Sequence, residues 1–199
     1  MKKLILTCCV AALSALSLTS KAQFDPNTKY WQLGGSLATN NTTFGNLGRE
    51  DLHSNAVSLT FRKGKFGENN VAKGWLLDYS LLTSSGSTLN TTYYQHRFGA
   101  GYFVSKFQPI TQNLALYAEA VGKAQYLYNT SKGSTGTDGW AATIEGNVGL
   151  RYSMKNKWFL DLGTNVGTLQ YQSMGDVKNF SGAIVPSVGT FKISIGKTF

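Results

Sequence analysis

Few groups in this 199-residue chain could do chemistry: two histidines, ten acidic side chains, nineteen lysines and arginines, and two cysteines. His53-Ser54-Asn55 places a base beside a nucleophile, but adjacent residues on a strand point to opposite faces, so the two would not share a site. Neither His53 nor His96 has a carboxylate and a nucleophile spaced with it as a triad requires. There is no nucleophile elbow, no Walker loop and no His or Cys set with metal-ligand spacing. No catalytic residue, cofactor site or metal site is therefore expected.

What the charged residues offer instead is pairing. Arg151 and Asp161 are equidistant from Asn156, Arg97 and Glu119 from Gln108, and Arg62 and Asp78 from Asn70. Positions equidistant from the turn of an antiparallel hairpin face each other across adjacent strands. Three ion pairs are thus expected, with Lys123, Glu145 and Lys192 extending them into a network. An unpaired member would cost ~3–5 kcal/mol in a dry, low-dielectric interior.

Such hairpins need strands, and the chain reads as strands. From Tyr30 onward, runs of apolar residues alternating with polar or small ones are separated by Gly, Asn, Ser, Thr and Lys. This is the period-two pattern of a half-buried sheet. Eight runs are expected, at about 30–39, 54–63, 73–83, 91–105, 112–128, 139–154, 158–171 and 185–199. Connections at 40–53, 84–90, 129–138 and 172–184 read as long loops, and Lys155-Asn156-Lys157 as a tight turn. The stretch around Glu68-Asn69-Asn70 reads as a turn that extends its flanking strands.

One face of these runs is apolar, from Trp31, Leu33 and Leu37 through Trp75, Leu77 and Tyr79 to Phe191, Ile193 and Ile195. The other carries Gln32, Ser58, Thr60, Gln95, Thr143, Asn147 and nine charges: Arg62, Asp78, Arg97, Glu119, Lys123, Glu145, Arg151, Asp161 and Lys192. On the apolar face this reading counts a single charge, Lys197. A soluble barrel would turn that face inward and a membrane barrel outward, and strand length and aromatics choose between them. Runs of about ten residues suit a tilted membrane strand, and an outward Lys or Arg at the midplane would cost ~2–4 kcal/mol. Trp31, Trp75 and Trp158 open runs while Phe61, Tyr102, Tyr152 and Phe199 close them, which gathers all seven at one rim. Trp140, Tyr94, Tyr126 and Tyr128 fall at the other, as in interfacial girdles. The reading is an all-β, closed, antiparallel, up-and-down eight-stranded transmembrane β-barrel.

The first residues stand apart from that pattern. Lys2 and Lys3, an apolar stretch from Leu4 to Leu18, and Ser20-Lys21-Ala22 are the parts of a cleaved secretory leader, with cleavage expected before Gln23. That divides the chain into a signal peptide, 1–22, and a barrel domain, 23–199. Cys8 and Cys9 lie inside the leader, too early for a lipid-attachment site, so the mature chain would have no cysteine and no disulfide. Loss of Lys2, Lys3 and Lys21 lowers the net charge from +9 to +6. Export and the lack of a long Lys/Arg run argue against nucleic acid as a partner.

With these residues in view, the chain from Lys29 to Phe199 resembles the small eight-stranded outer-membrane barrels of the OmpA and OmpX type. The most specific element is the end, Phe191-Lys192-Ile193-Ser194-Ile195-Gly196-Lys197-Thr198-Phe199. It is similar to the signal, carried here by Phe191, Ile193, Ile195 and Phe199, through which barrels are recognised by the outer-membrane insertion machinery. The resemblance implies residence in the bacterial outer membrane, in contact with its lipids and lipopolysaccharide, and no periplasmic domain is expected after the barrel. It implies a structural or surface-interaction role through extracellular loops, with an unidentified surface partner. An eight-stranded barrel is only wide enough to be filled by side chains, so a plugged lumen is expected and a narrow conduit for small or hydrophobic solutes is the alternative. Some such barrels are lipid A deacylases that use a His and a Ser two residues apart. His53-Ser54 departs from that spacing, and no enzymatic activity is expected.

Overall fold

The computed structural model describes residues 24–42, 52–86, 92–131, 136–183 and 191–199. The leader expected at 1–22 lies outside them. Nine strands follow in order: β1 (Lys29–Thr42), β2 (Leu52–Phe66), β3 (Val71–Gly86), β4 (Thr92–Pro109), β5 (Leu114–Ser131), β6 (Thr137–Ser153), β7 (Trp158–Met174), β8 (Val177–Ala183) and β9 (Phe191–Thr198). β1 to β7 pair antiparallel, each with the next. β9 lies between β7 and β1, with Leu33 opposite Ile195 on one side and Leu160 opposite Ile195 on the other. The sheet therefore closes on itself as a ring of eight.

The reason these residues form strands is visible in β5. From Ala115 to Val121 buried and exposed residues alternate without a break, so a one-residue slip would turn every outer side chain inward. The long strands run 14 to 18 residues, well past the ~10 that a bilayer crossing takes. The ladder continues beyond the apolar band at both ends.

Two of the short connections share one geometry. Glu68–Asn70 and Lys155–Lys157 are single 3-10 turns, closed by Gly67 N–H donating to Val71 O at 2.7 Å and Met154 N–H donating to Trp158 O at 2.8 Å. Asn69 and Asn156 take the left-handed conformation at the bend, which asparagine tolerates better than most residues. The third turn, at 110–113, is closed by Ile110 N–H on Leu114 O and braced by the Thr111 hydroxyl, which accepts from the backbone N–H of Asn113 and Leu114.

The eighth run differs from its expected form. β7 continues to Met174, and β8 turns back along it through Gly175, whose φ is +55°, so that Met174 faces Val177. Much of 172–184, expected as a loop, is thus a tight hairpin. The eighth place in the ring is filled by β9 beside residues 158–164 of β7 and extended along 168–174 by β8. The polar alternation Gln170, Gln172 against Ser181, Asn179 resembles loop composition, and the ladder rather than apolarity makes it strand.

Side chains of the outer face are large, apolar and exposed: Leu59, Leu77, Phe98, Ile144 and Ile193 are each more than half exposed or close to it. Among the described residues no helix is long and apolar enough to cross a membrane, and the apolar belt is carried by strands. The outer face is less bare of charge than its sequence suggests. Besides Lys197, the strand ends carry Lys29, Lys63, Lys65, Lys73 and Lys106 on that face, because the strands outrun the apolar runs.

Candidate functional site in the barrel lumen

The lumen is filled in layers. At the end that holds the short turns and both described chain ends lies an aromatic floor. Phe24, just before β1, packs its ring 4.9 Å from Phe66 and 4.8 Å from Phe107. Tyr30 approaches Phe66 at 5.1 Å and Phe159 at 5.7 Å, and Phe107 meets Tyr117 at 5.7 Å. Phe66, Phe103, Phe107 and Phe159 are fully buried or nearly so. Sequence reasoning missed this floor. Its signal was parity: Tyr30 shares a face with Gln32, Phe103 and Phe107 with Ser105, Tyr117 with Glu119, and Phe159 with Asp161. Phe66 and Phe107 lie beyond the ends of the runs and so escaped the reading.

Arg151 joins the floor to the charged layer above it. Its guanidinium stands 3.8 Å over the Phe159 ring and 4.5 Å over Phe107, while Nε and Nη2 donate to Asp161 Oδ1 and Oδ2 at 2.7 and 2.6 Å. Among the described residues Nη1 has no hydrogen-bond acceptor, and the guanidinium is covered by aromatic faces, which attract a cation through their quadrupole. Gln32 Nε2 donates to Asp161 Oδ2 at 3.0 Å and also to the Ser194 hydroxyl. The facing of Arg151 and Asp161 follows from the register of β6 on β7.

The two other expected pairs are replaced. Arg62 faces Leu76, and Thr60 faces Asp78, because the β2–β3 turn centres on Asn69 rather than Asn70 and each residue of turn offset shifts register by two. Arg97 faces Leu127 while Ser105 faces Glu119, because β4 runs through Pro109 and the turn centres on Gln112, not Gln108. Arg62 crosses the lumen instead, donating from Nη1 to Glu119 Oε2 at 2.6 Å, with its guanidinium 5.4 Å from the Phe103 ring centroid. Ser105 Oγ and Asn147 Nδ2 also donate to Glu119, at 2.9 and 3.1 Å. Asp78 receives Lys123 Nζ at 3.3 Å and Gln125 Nε2 at 3.2 Å, both on Oδ2. Lys123 reaches Glu145 at 2.8 Å, and Lys192 bridges Glu145 Oε2 and Asn147 Oδ1 at 3.1 and 2.9 Å.

Arg97 stands apart from these pairs. Its Nε donates to Gln95 Oε1 at 2.6 Å, and among the described residues it forms no ion pair. Gly99 makes room for Asp78: a Cβ there would collide with Asp78 Oδ1 and come within 3.0 Å of Gln125 Cγ.

Two cavities flank this packing. One of about 410 Å³ lies among the charged layer and the small polar residues beyond it, including Ser36, Ser58, Ser80, Thr168 and Gln170. The other, about 330 Å³, lies beneath the floor between Phe24, Asn113, Arg151 and Phe159. Among the described residues none lines both.

On the outer face the aromatic residues named from the sequence fall where their parity puts them. Trp31 and Trp158 meet edge to face at 5.6 Å, and Phe61 lies 5.6 Å from Trp75. Trp75 faces Tyr102 across β3 and β4. Tyr152 and Phe199 are about half exposed, as is Trp140 near the opposite end. Phe191, Ile193 and Ile195 alternate outward along β9. His96 is held by the Tyr79 hydroxyl at 3.0 Å on Nδ1, and its ring lies 6.2 Å from that of Tyr79 and 6.3 Å from that of Tyr128. His53 sits in β2 opposite Ser85. Among the described residues no three of His, Cys, Asp and Glu are placed to hold a metal ion.

A closed eight-stranded antiparallel barrel with an apolar exterior is the fold of the small bacterial outer-membrane barrels. The crystal structure of Neisserial surface protein A is similar to it at a TM-score of 0.51, with 16% identity over 86% of this chain and 97% of that one. The outer-membrane protein AlkL in lipid bilayers follows at 0.42, with 15% identity over 92% and 94%. Ail of Yersinia pestis in a nanodisc gives 0.38, with 14% identity over 87% and 99%. At 16% identity the likeness to the Neisserial protein is one of fold. No family model matches the chain, and no curated protein sequence does.

Proposed function

We propose that this chain is an integral protein of the bacterial outer membrane whose lumen is closed by its own side chains and whose work is done at the cell surface, without catalysis. The supporting observation is the aromatic floor clasped around Arg151, with cavities on either side that share no lining residue among the described ones. Buried rings in contact leave no path for a hydrated ion, and a guanidinium locked onto Asp161 is a costly group to move. With the interior closed, the surfaces left for a partner are the outward ends of the strands, including the polar β7–β8 hairpin, together with the loops joined to them. Loops carried on a rigid scaffold are a common place for binding. The lipids and lipopolysaccharide of that membrane are the surroundings this exterior fits, and β9 with its Phe191, Ile193, Ile195 and Phe199 is the segment we assign to recognition by the insertion machinery.

The test is conductance. Purified protein inserted into a planar bilayer should stay silent. Stable unitary openings would favour a second reading, a narrow passive conduit for small or hydrophobic solutes, which draws support from the 410 Å³ cavity above the floor.

A further inference from the structure

We infer that the short-turn end of the barrel carries a built surface for the anionic headgroups of glycerophospholipids in the periplasmic leaflet; this rests on the membrane-barrel reading above. The first observation is a row in the register. Trp158 faces Lys197 across β7 and β9, Lys197 faces Trp31 across β9 and β1, Trp31 faces Lys63 across β1 and β2, and Lys63 faces Trp75 across β2 and β3. Tryptophan and lysine therefore alternate on the outer face through five neighbouring strands. The Lys197 ammonium lies 5.5 Å from the Trp158 ring centroid.

The second observation is the row beyond it. Lys29 faces Lys65, and Lys65 faces Lys73. Like charges opposite one another on adjacent strands repel. Among the described residues none of these lysines, nor Lys106 on β4, forms an ion pair with a carboxylate. Lys155 and Lys157 in the β6–β7 turn add to the same end, whose acidic side chains among the described residues are Asp25 and Glu68. At the opposite end the described charges are Asp138, Asp176 and Lys178. A one-sided cluster of repelling cations is stabilised by an anion that several of them share.

The chemistry of that anion follows from position. The lysines sit on the lipid-facing side, level with tryptophans that favour the headgroup region and just beyond the apolar belt. Their stems can lie along that belt while the ammonium groups reach the phosphodiester layer. Short turns mark the periplasmic end of such barrels, and the leaflet there is glycerophospholipid, whereas lipopolysaccharide occupies the outer leaflet. Each lysine near an anionic surface adds to the attraction, and salt screens it.

The experiment uses the full chain in a Trp140→Phe background, so that tryptophan emission reports Trp31, Trp75 and Trp158 alone. The protein is reconstituted in phosphatidylcholine bilayers containing brominated phosphatidylglycerol or brominated phosphatidylcholine, and the quenching gives their relative association. We expect about fivefold preference for phosphatidylglycerol at low salt, falling towards one at about 0.5 M salt. Replacing Lys29, Lys63, Lys65, Lys73, Lys106 and Lys197 by Gln should abolish the preference, replacing them by Arg should keep it, and Lys178→Gln should leave it unchanged. No preference in the unsubstituted lysine set, or a preference that survives the Gln set, overturns the inference while leaving the barrel in place. Should the Gln set fail to fold, the headgroup preference and salt dependence of the native lysines decide alone. Tryptophans quenched by neither lipid would overturn the membrane reading itself, and this inference with it.

Discussion

Arg151 stands 3.8 Å above the Phe159 ring and donates two hydrogen bonds to Asp161, two residues further along the same strand. One side chain thus ties the aromatic floor to the polar layer, and its charge is answered from below by rings and from above by a carboxylate. Removing either partner strands the other in the interior. Asp161→Asn and Arg151→Met should each lower unfolding free energy by ~3–5 kcal/mol, read by urea titration of the folded barrel in lipid vesicles. The double change Arg151→Met with Asp161→Leu should recover most of the loss, since an apolar replacement of a buried pair is often neutral. A double variant as unstable as the sum of the singles would show that the pair is not the unit.

The cross-lumen partners of Glu119 are separable in the same assay. Arg62 bonds Glu119 directly, while Arg97 bonds Gln95. A double-mutant cycle of Arg62→Gln with Glu119→Gln should give a coupling of ~1 kcal/mol or more, and the cycle of Arg97→Gln with Glu119→Gln a value within ~0.5 kcal/mol of zero. Reversed values would mean that the β4–β5 register centres on Gln108 after all.

Gly99 offers a steric test of the Asp78 site. Gly99→Ala drives a methyl group into Asp78 Oδ1 and should cost ~1–3 kcal/mol through displacement of that carboxylate. In an Asp78→Ala background the same change should cost markedly less. An equal cost in both backgrounds would point to backbone strain in β4 instead.

How much of this was legible in the chain depended on where turns could be placed. The ring of alternating strands shows in the sequence because inward and outward residues differ in kind, as Arg151 and Asp161 differ from Tyr152 and Leu162. Their facing was readable because Lys155-Asn156-Lys157 leaves one compact way to reverse. Glu119 was misassigned because runs at 91–105 and 112–128 leave a gap centred near Gln108, whereas the ladder continues to Pro109 and Thr111 braces the bend beyond it. Across the lumen, reach rather than register chooses partners, and a long arginine such as Arg62 reaches a carboxylate three strands away. The aromatic floor was hidden for a different reason. Phe66 and Phe107 look like outer-face residues until the parity of their strands is followed to the end.

The direction of the apolar face carries the whole reading, and one outward residue tests it. Ile144 lies in the middle of β6 and is 61% exposed. On a protein surrounded by water, Ile144→Arg would change stability by no more than ~0.5 kcal/mol, as exposed substitutions usually do. In hydrocarbon, the guanidinium has no water and no partner near the bilayer midplane, and the same change should cost ~2–4 kcal/mol. The same substitution at Val177, at the tip of the β7–β8 hairpin, should cost less, because depth sets the penalty. Urea titration of both variants in phosphatidylcholine vesicles reads the difference. A harmless Ile144→Arg would mean that water, not lipid, bathes this wall.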